Sequence, residues 1–153
     1  MSAAAKDYLS KIRKLDIETI NASDLLQSAE SDAARITRPL SFLPRGGKRR
    51  DIADVVDNLT QLREWYKKKN QEYVKYKNTA IDMLVQLDDP QHRQVLFMRY
   101  FEYRDNCGRI GKLKTLEEIA HALNYSQRQI YRIYNAALKA YDEILLKNGL
   151  LPN

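Results

Sequence analysis

The chain has 153 residues, 44% hydrophobic and 30% charged, with five Gly, four Pro, one Cys and a formal charge of +6. So few glycines and prolines exclude a collagen, a low-complexity tail and a loop-rich disulfide scaffold, and they favour long uninterrupted helices. Cys107 alone forms no internal disulfide, the opening MSAAAKDYLSKIRK lacks the apolar segment of a secretory signal, and no run of about 18 apolar residues occurs, so a cytoplasmic protein without membrane association is expected.

From Tyr8 the apolar or small residues keep a four-three spacing: Tyr8, Ile12, Leu15, Thr19, Ala22, Leu26, Ala29, Ala33 and Ile36. This heptad seam predicts one long helix. TRPLSFLPRGGKRR at 37–50, with two prolines, a glycine pair and five cations, predicts a loop where the chain reverses. From Asp51 a second seam runs through Ile52, Leu59, Tyr66, Tyr73, Ala80 and Leu87. Val55, Leu62, Lys69, Tyr76 and Met83 follow three residues behind, Lys69 being the polar exception. At about 1.5 Å per residue this helix is roughly 55 Å long and needs a partner along its length. The expected arrangement is an antiparallel coiled-coil hairpin over 1–87 that also serves oligomerisation; a self-associating bundle of such hairpins is the rival.

Residues 88–153 read as a second domain. Asp89 before Pro90 predicts an N-cap and a first-turn proline. QHRQVLFMRYFEY then places Val95, Leu96, Tyr100 and either Phe97 or Met98 on one face, and RDNCGRIGKLK breaks the pattern as a surface loop. Two capping boxes follow, Thr115 with Glu118 and Ser126 with Gln129, so a short helix, a tight turn at Asn124-Tyr125 and a longer helix are expected. That succession is a helix-turn-helix. Leu116, Ile119, Ala120 and Leu123 face a core shared with Ile130, Ile133, Tyr134, Ala137 and Tyr141. Ala120 allows close helix approach, and Asn124 suits a left-handed turn. The fold class expected is therefore all-α.

The opposite arc of the longer helix carries Arg128, Tyr131, Arg132, Asn135 and Lys139, with Gln127 at its tip beside Ser126. Arg suits guanine, Gln and Asn suit adenine, Tyr a thymine methyl or a phosphate, and Lys a phosphate, so the arc fits the major groove of double-stranded DNA. A solvated cationic face is the plainer alternative. Segment charges of −1 for 1–36, +5 for 37–87 and +2 for 88–153 put most of the excess away from this arc. Arg45, Lys48, Arg49 and Arg50 are candidate phosphate contacts or solvating charges.

TLEEIAHALNYSQRQIYRIYNAALKAY resembles the promoter-reading helix-turn-helix of sigma factor region 4, through Leu116, Glu117, Glu118, Ile119, Ala120, Ser126, Ile130, Ile133, Ala137 and Leu138. The preceding VLFMRYFEY resembles the helix before it in those factors. Nearly the whole chain, including KDYLSKIRKLD and PRGGKRRDIADVVDNL, resembles the phage-encoded regulators of the ArpU and RinA kind. The resemblance implies a phage or prophage regulator activating late, packaging or lysis genes in a bacterial host. It implies base reading by Gln127, Arg128, Tyr131 and Arg132, with Arg128 standing where sigma factors often have Glu. Lys112, Lys114 and Thr115, in or just after a loop like the inter-helix loop of sigma factors, are further candidate phosphate contacts.

Other chemistry finds little footing. His92 and His121, read as surface residues, assemble no zinc site with one Cys; Asp88 and Asp89 read as a cap; RGGK lacks the GxxxxGK[ST] spacing; Cys107 reads as a free surface thiol. Tyr66, Tyr73 and Tyr76 read as core on the seam. No catalysis, cofactor or metal is expected, and a homo-oligomer, with a dimer favoured, would present two reading helices. The rival readings are a packaging-site binder like a phage terminase small subunit and an adaptor that contacts host RNA polymerase.

Overall fold

Two long helices and three shorter ones follow one another along the chain: α1 (Ala3–Thr37), α2 (Lys48–Val85), α3 (Pro90–Tyr100), α4 (Leu116–Leu123) and α5 (Gln127–Lys147). The computed structural model describes residues 3–37 and 48–150, without the side chains of 36, 37 and 48–52. Among the described residues there is no strand beyond an isolated bridge between Arg104 and Ile110, so the fold is all-α. Helix α2 begins at Lys48, three residues before the expected start at Asp51. Lys48, Arg49 and Arg50 therefore belong to the helix and not to the loop, as the high helix propensity of Lys and Arg permits.

By internal packing the chain divides into two compact units, one of residues 15–73 and the other of residues 1–14 and 74–153. Within 15–73 the two long helices lie antiparallel. Thr19 Oγ1 donates to the carbonyl of Lys69 at 3.3 Å, and Arg63 pairs with Glu30 at 3.3 Å, so numbers rise on one helix as they fall on the other. The predicted seam of α2 is visible here, with Leu59 buried and Val55, Leu62, Tyr66, Lys69 and Tyr73 half-buried. Lys69, its polar member, reaches Glu18 at 3.3 Å and Glu72 at 3.9 Å, which answers its charge where the stem is packed.

The expected seam of α1 holds at Ile12, Thr19, Ala22 and Ala33, all buried, and departs from its reading in one row near the N-terminus. Ala5, Leu9, Ile12, Asp16 and Thr19 are buried, whereas Tyr8 and Leu15 are half-buried beside them. The spacing is still four-three, with Ala5 extending the expected row of Ile12 and Thr19, but Leu9 and the polar Asp16 take the inward places that a hydrophobic reading assigns to Tyr8 and Leu15.

In the second unit the ends of the long helices pack with α3, α4 and α5. Tyr141 is fully buried and donates from its hydroxyl to the carbonyl of Ala80 at 2.9 Å. Burial and the neighbouring phenols of Tyr8 and Tyr76 push its ionisation far above the ordinary range. Tyr8 stands over Tyr76 at 4.7 Å and Tyr141 at 6.2 Å, while Tyr76 donates to the carbonyl of Tyr8 at 2.7 Å. Arg13 donates to the carbonyl of Gly111 at 2.9 Å, fastening α1 to the stretch that enters α4. Asp142 on α5 stands near the backbone N–H of Ala5, in the first turn of α1, and its Oδ1 is buried without a hydrogen-bond partner among the described residues. Desolvation nevertheless dominates and raises the Asp142 carboxyl above its usual value.

The approach to the motif is ordered by its polar residues. Asp89 caps α3 by accepting from Gln91 N at 2.9 Å, with Pro90 in the first turn as expected. Val95, Leu96 and Tyr100 are buried, Met98 is half-buried and Phe97 is exposed, so Met98 and not Phe97 completes the inner face. In the following loop Asp105 accepts from Cys107 N and Arg109 N, closing a turn that Gly108 completes at φ 79°. Cys107 is exposed on that turn.

Candidate nucleic-acid interface

Local chemistry sets both helices of the motif. Thr115 caps α4 by accepting from Glu118 N at 3.2 Å. Of the expected box, this forward arm is the one that forms. After eight residues the helix ends at Asn124, which adopts the left-handed conformation at φ 59°, ψ 38°, and Tyr125 N donates to the carbonyl of Ala120 at 2.9 Å. Ser126 opens α5 with both arms of its box formed: Gln129 N donates to Ser126 Oγ at 3.2 Å, and Ser126 N donates to Gln129 Oε1 at 3.0 Å.

Leu116, Ile119 and Ala120 of α4 are buried, as are Ile130, Tyr134, Ala137, Leu138 and Tyr141 of α5. Leu123 and Ile133, expected in this core, are half-buried at its rim. Tyr100 of α3 shares a buried hydroxyl hydrogen bond with Tyr134, and Arg99 donates to the carbonyl of Lys114, so α3 is tied to α5 and to the residue before the cap of α4.

The other side of α5 is open. Gln127, Arg128, Tyr131, Arg132, Asn135 and Lys139 are all exposed, and Ser126 is exposed with its hydroxyl committed to the cap. Among the described residues no ion pair engages Arg128, Arg132 or Lys139, which leaves their charge available to an outside anion. One contact crosses from α4: Tyr131 donates its hydroxyl to Glu117 Oε1 at 2.9 Å. The backbone N–H of Glu117 and then the Tyr131 hydroxyl hold that carboxyl below the usual range, and the hydrogen bond in turn raises the Tyr131 phenol. Glu117 is a site residue that the sequence reading missed, because an arc drawn on α5 alone contains no acid.

The outlying candidates fare differently. Lys112 is exposed, Lys114 pairs with Glu102 at 2.7 Å, and Thr115 is occupied as the cap of α4. Arg45 and the side chains of Lys48, Arg49 and Arg50 lie outside the described residues. His121 is exposed, but His92, read as a surface residue, is largely covered, with Nε2 at 3.4 Å from Asp89 Oδ2. The cap it leans on and the packing of Leu87 and Ile144 around the same depression draw the ring inward. Among the described residues no group of His, Cys, Asp or Glu is arranged to hold a metal ion, and no helix is long and apolar enough to cross a membrane.

With this geometry in view, comparison with protein families gives a match over residues 41–142 to the model described as protein of unknown function DUF1492. The chain belongs to the DUF1492 family. The matched span covers two-thirds of the chain: all of α2, α3 and α4, and α5 as far as Asp142. No curated protein and no solved structure matches the chain.

Proposed function

We propose that this DUF1492 protein is a sequence-specific DNA-binding regulator of transcription, of the phage or prophage kind, that lays α5 in the major groove of double-stranded DNA and catalyses no reaction. One observation carries this reading. Six polar, aromatic or cationic side chains, Gln127, Arg128, Tyr131, Arg132, Asn135 and Lys139, are exposed together on the face of α5 opposite its buried stripe. A helix capped at Ser126 and held against a short first helix presents its N-terminal half outward, which is how such motifs reach base edges. The resemblance to sigma region 4 and to the ArpU and RinA regulators agrees with it. The long helices would pair protomers so that two reading helices meet two half-sites, and host RNA polymerase is the partner implied for activation.

The test is binding of the purified chain to DNA fragments tiled across its own genomic neighbourhood, with scrambled competitor at physiological salt, where phosphate-only contacts are weakened. The expected result is one promoter-bearing fragment preferred by about a thousandfold or more over scrambled DNA. Equal binding to every fragment, or binding to none, overturns the reading. Preference for a packaging site by ring-sized oligomers would instead identify a terminase-like protein, and specificity gained only with RNA polymerase would identify an adaptor.

A further inference from the structure

Glu117 stands in the first turn of α4, yet it reaches the arc of α5 fourteen residues away in sequence. Its carboxylate accepts from the Tyr131 hydroxyl at 2.9 Å. The consequence for Tyr131 is specific. Its hydroxyl proton is engaged inside the protein, so the group presented outward at this position is a ring, 43% exposed and held in one orientation. In a major groove an apolar group of this sort meets the C5 methyl of thymine, while a free phenol would equally serve a phosphate. The charge of Glu117 adds a second effect, because an anion beside the arc repels phosphate wherever the helix lies on DNA without its proper base contacts.

We propose that Glu117 is a positioning residue that fixes the Tyr131 ring as the reader of a thymine methyl, and that its charge suppresses sequence-independent binding at this end of α5. This assignment rests on the DNA-reading role proposed above. It is tested with the full chain and the variants Glu117→Ala, Glu117→Gln and Tyr131→Ala, all at exposed positions, whose helical content is checked by circular dichroism. Each is titrated with the preferred fragment, with copies in which single thymines are replaced by deoxyuridine, which lacks the methyl group, and with scrambled DNA.

For the wild-type chain, one replacement should weaken binding about fivefold or more. That loss should vanish in Tyr131→Ala and in Glu117→Ala. Glu117→Gln keeps an acceptor for the hydroxyl, so it should retain the thymine response while binding scrambled DNA about twofold more tightly. The assignment is overturned if no single methyl matters to the wild type, if Tyr131→Ala or Glu117→Ala responds as the wild type does, or if Glu117→Gln leaves scrambled binding unchanged. A wild-type chain that prefers no fragment overturns the regulator reading itself and the assignment with it. Unchanged variants on a preferred fragment overturn the assignment alone.

Discussion

Asn124 is the one described non-glycine residue with positive φ, and the turn between α4 and α5 depends on it. A side chain that hydrogen-bonds locally tolerates this conformation; a plain Cβ does not. Asn124→Ala should therefore lower unfolding stability by about 1–2 kcal/mol, while Asn124→Gly stays near wild type, as chemical denaturation of the two variants would measure. Loss from both substitutions equally would mean that the side chain, and not the backbone angle, holds the turn. On the proposed reading face the expectation is the reverse pattern. Arg128→Ala and Arg132→Ala remove exposed, unpaired cations, so the melting temperature should hold while specific DNA binding falls by about 1–3 kcal/mol each. Unchanged affinity for the preferred fragment would discard the groove placement of α5.

At the scale of elements, legibility followed side-chain size and polarity. The seam of α2 could be read because its inward positions are large and apolar, and its exception, Lys69, is polar only at the tip that Glu18 and Glu72 meet. The caps at Asp89, Thr115 and Ser126 could be read because they act within three residues of themselves. The seam of α1 could be read at Ile12, Thr19, Ala22 and Ala33 but not at Asp16, which is buried where a hydrophobic pattern expects Leu15. Glu117 escaped for a different reason: its meeting with Tyr131 depends on how α4 crosses α5, a distance no spacing encodes.

Asp142, which stands on α5 near the start of α1, belongs to the same class and carries a pH signature. Burial holds its folded-state carboxyl above the ordinary 3.8, so its protonated form favours the fold. Its contribution is complete below 3.8 and is lost as pH rises through the folded value. Asp142→Asn should therefore gain stability relative to wild type as pH rises through that window, measured by urea unfolding at a series of pH values. A pH-independent difference between the two chains would show that the carboxyl is not perturbed in the fold.

For the whole molecule, both units leave large apolar side chains in the open. The unit that holds the helix-turn-helix exposes Val85, Phe97 and Leu146 around a core of buried aromatics such as Tyr100, Tyr134 and Tyr141, and the 15–73 unit leaves Leu25, Val56 and Trp65 at 54%, 51% and 40% exposure. Two helices alone have too little interior to cover such residues. If protomers pair through this unit as proposed, sedimentation should show a dimer, and emission from Trp65, the single tryptophan, should shift to the blue as concentration rises. A monomer with unchanged emission at the highest attainable concentration would assign oligomerisation elsewhere or remove it.

The turn built on Asp105 carries the chain's single cysteine at its surface, in the same unit as α5. Thiol-directed dyes and spin labels will therefore attach at one place in the native sequence, with no engineered handle and no competing thiol to block. A label at Cys107 rides on the loop between α3 and α4, at a fixed chemical distance from the backbone. Energy transfer to a dye at either end of a duplex would then report the polarity with which the motif sits on its target.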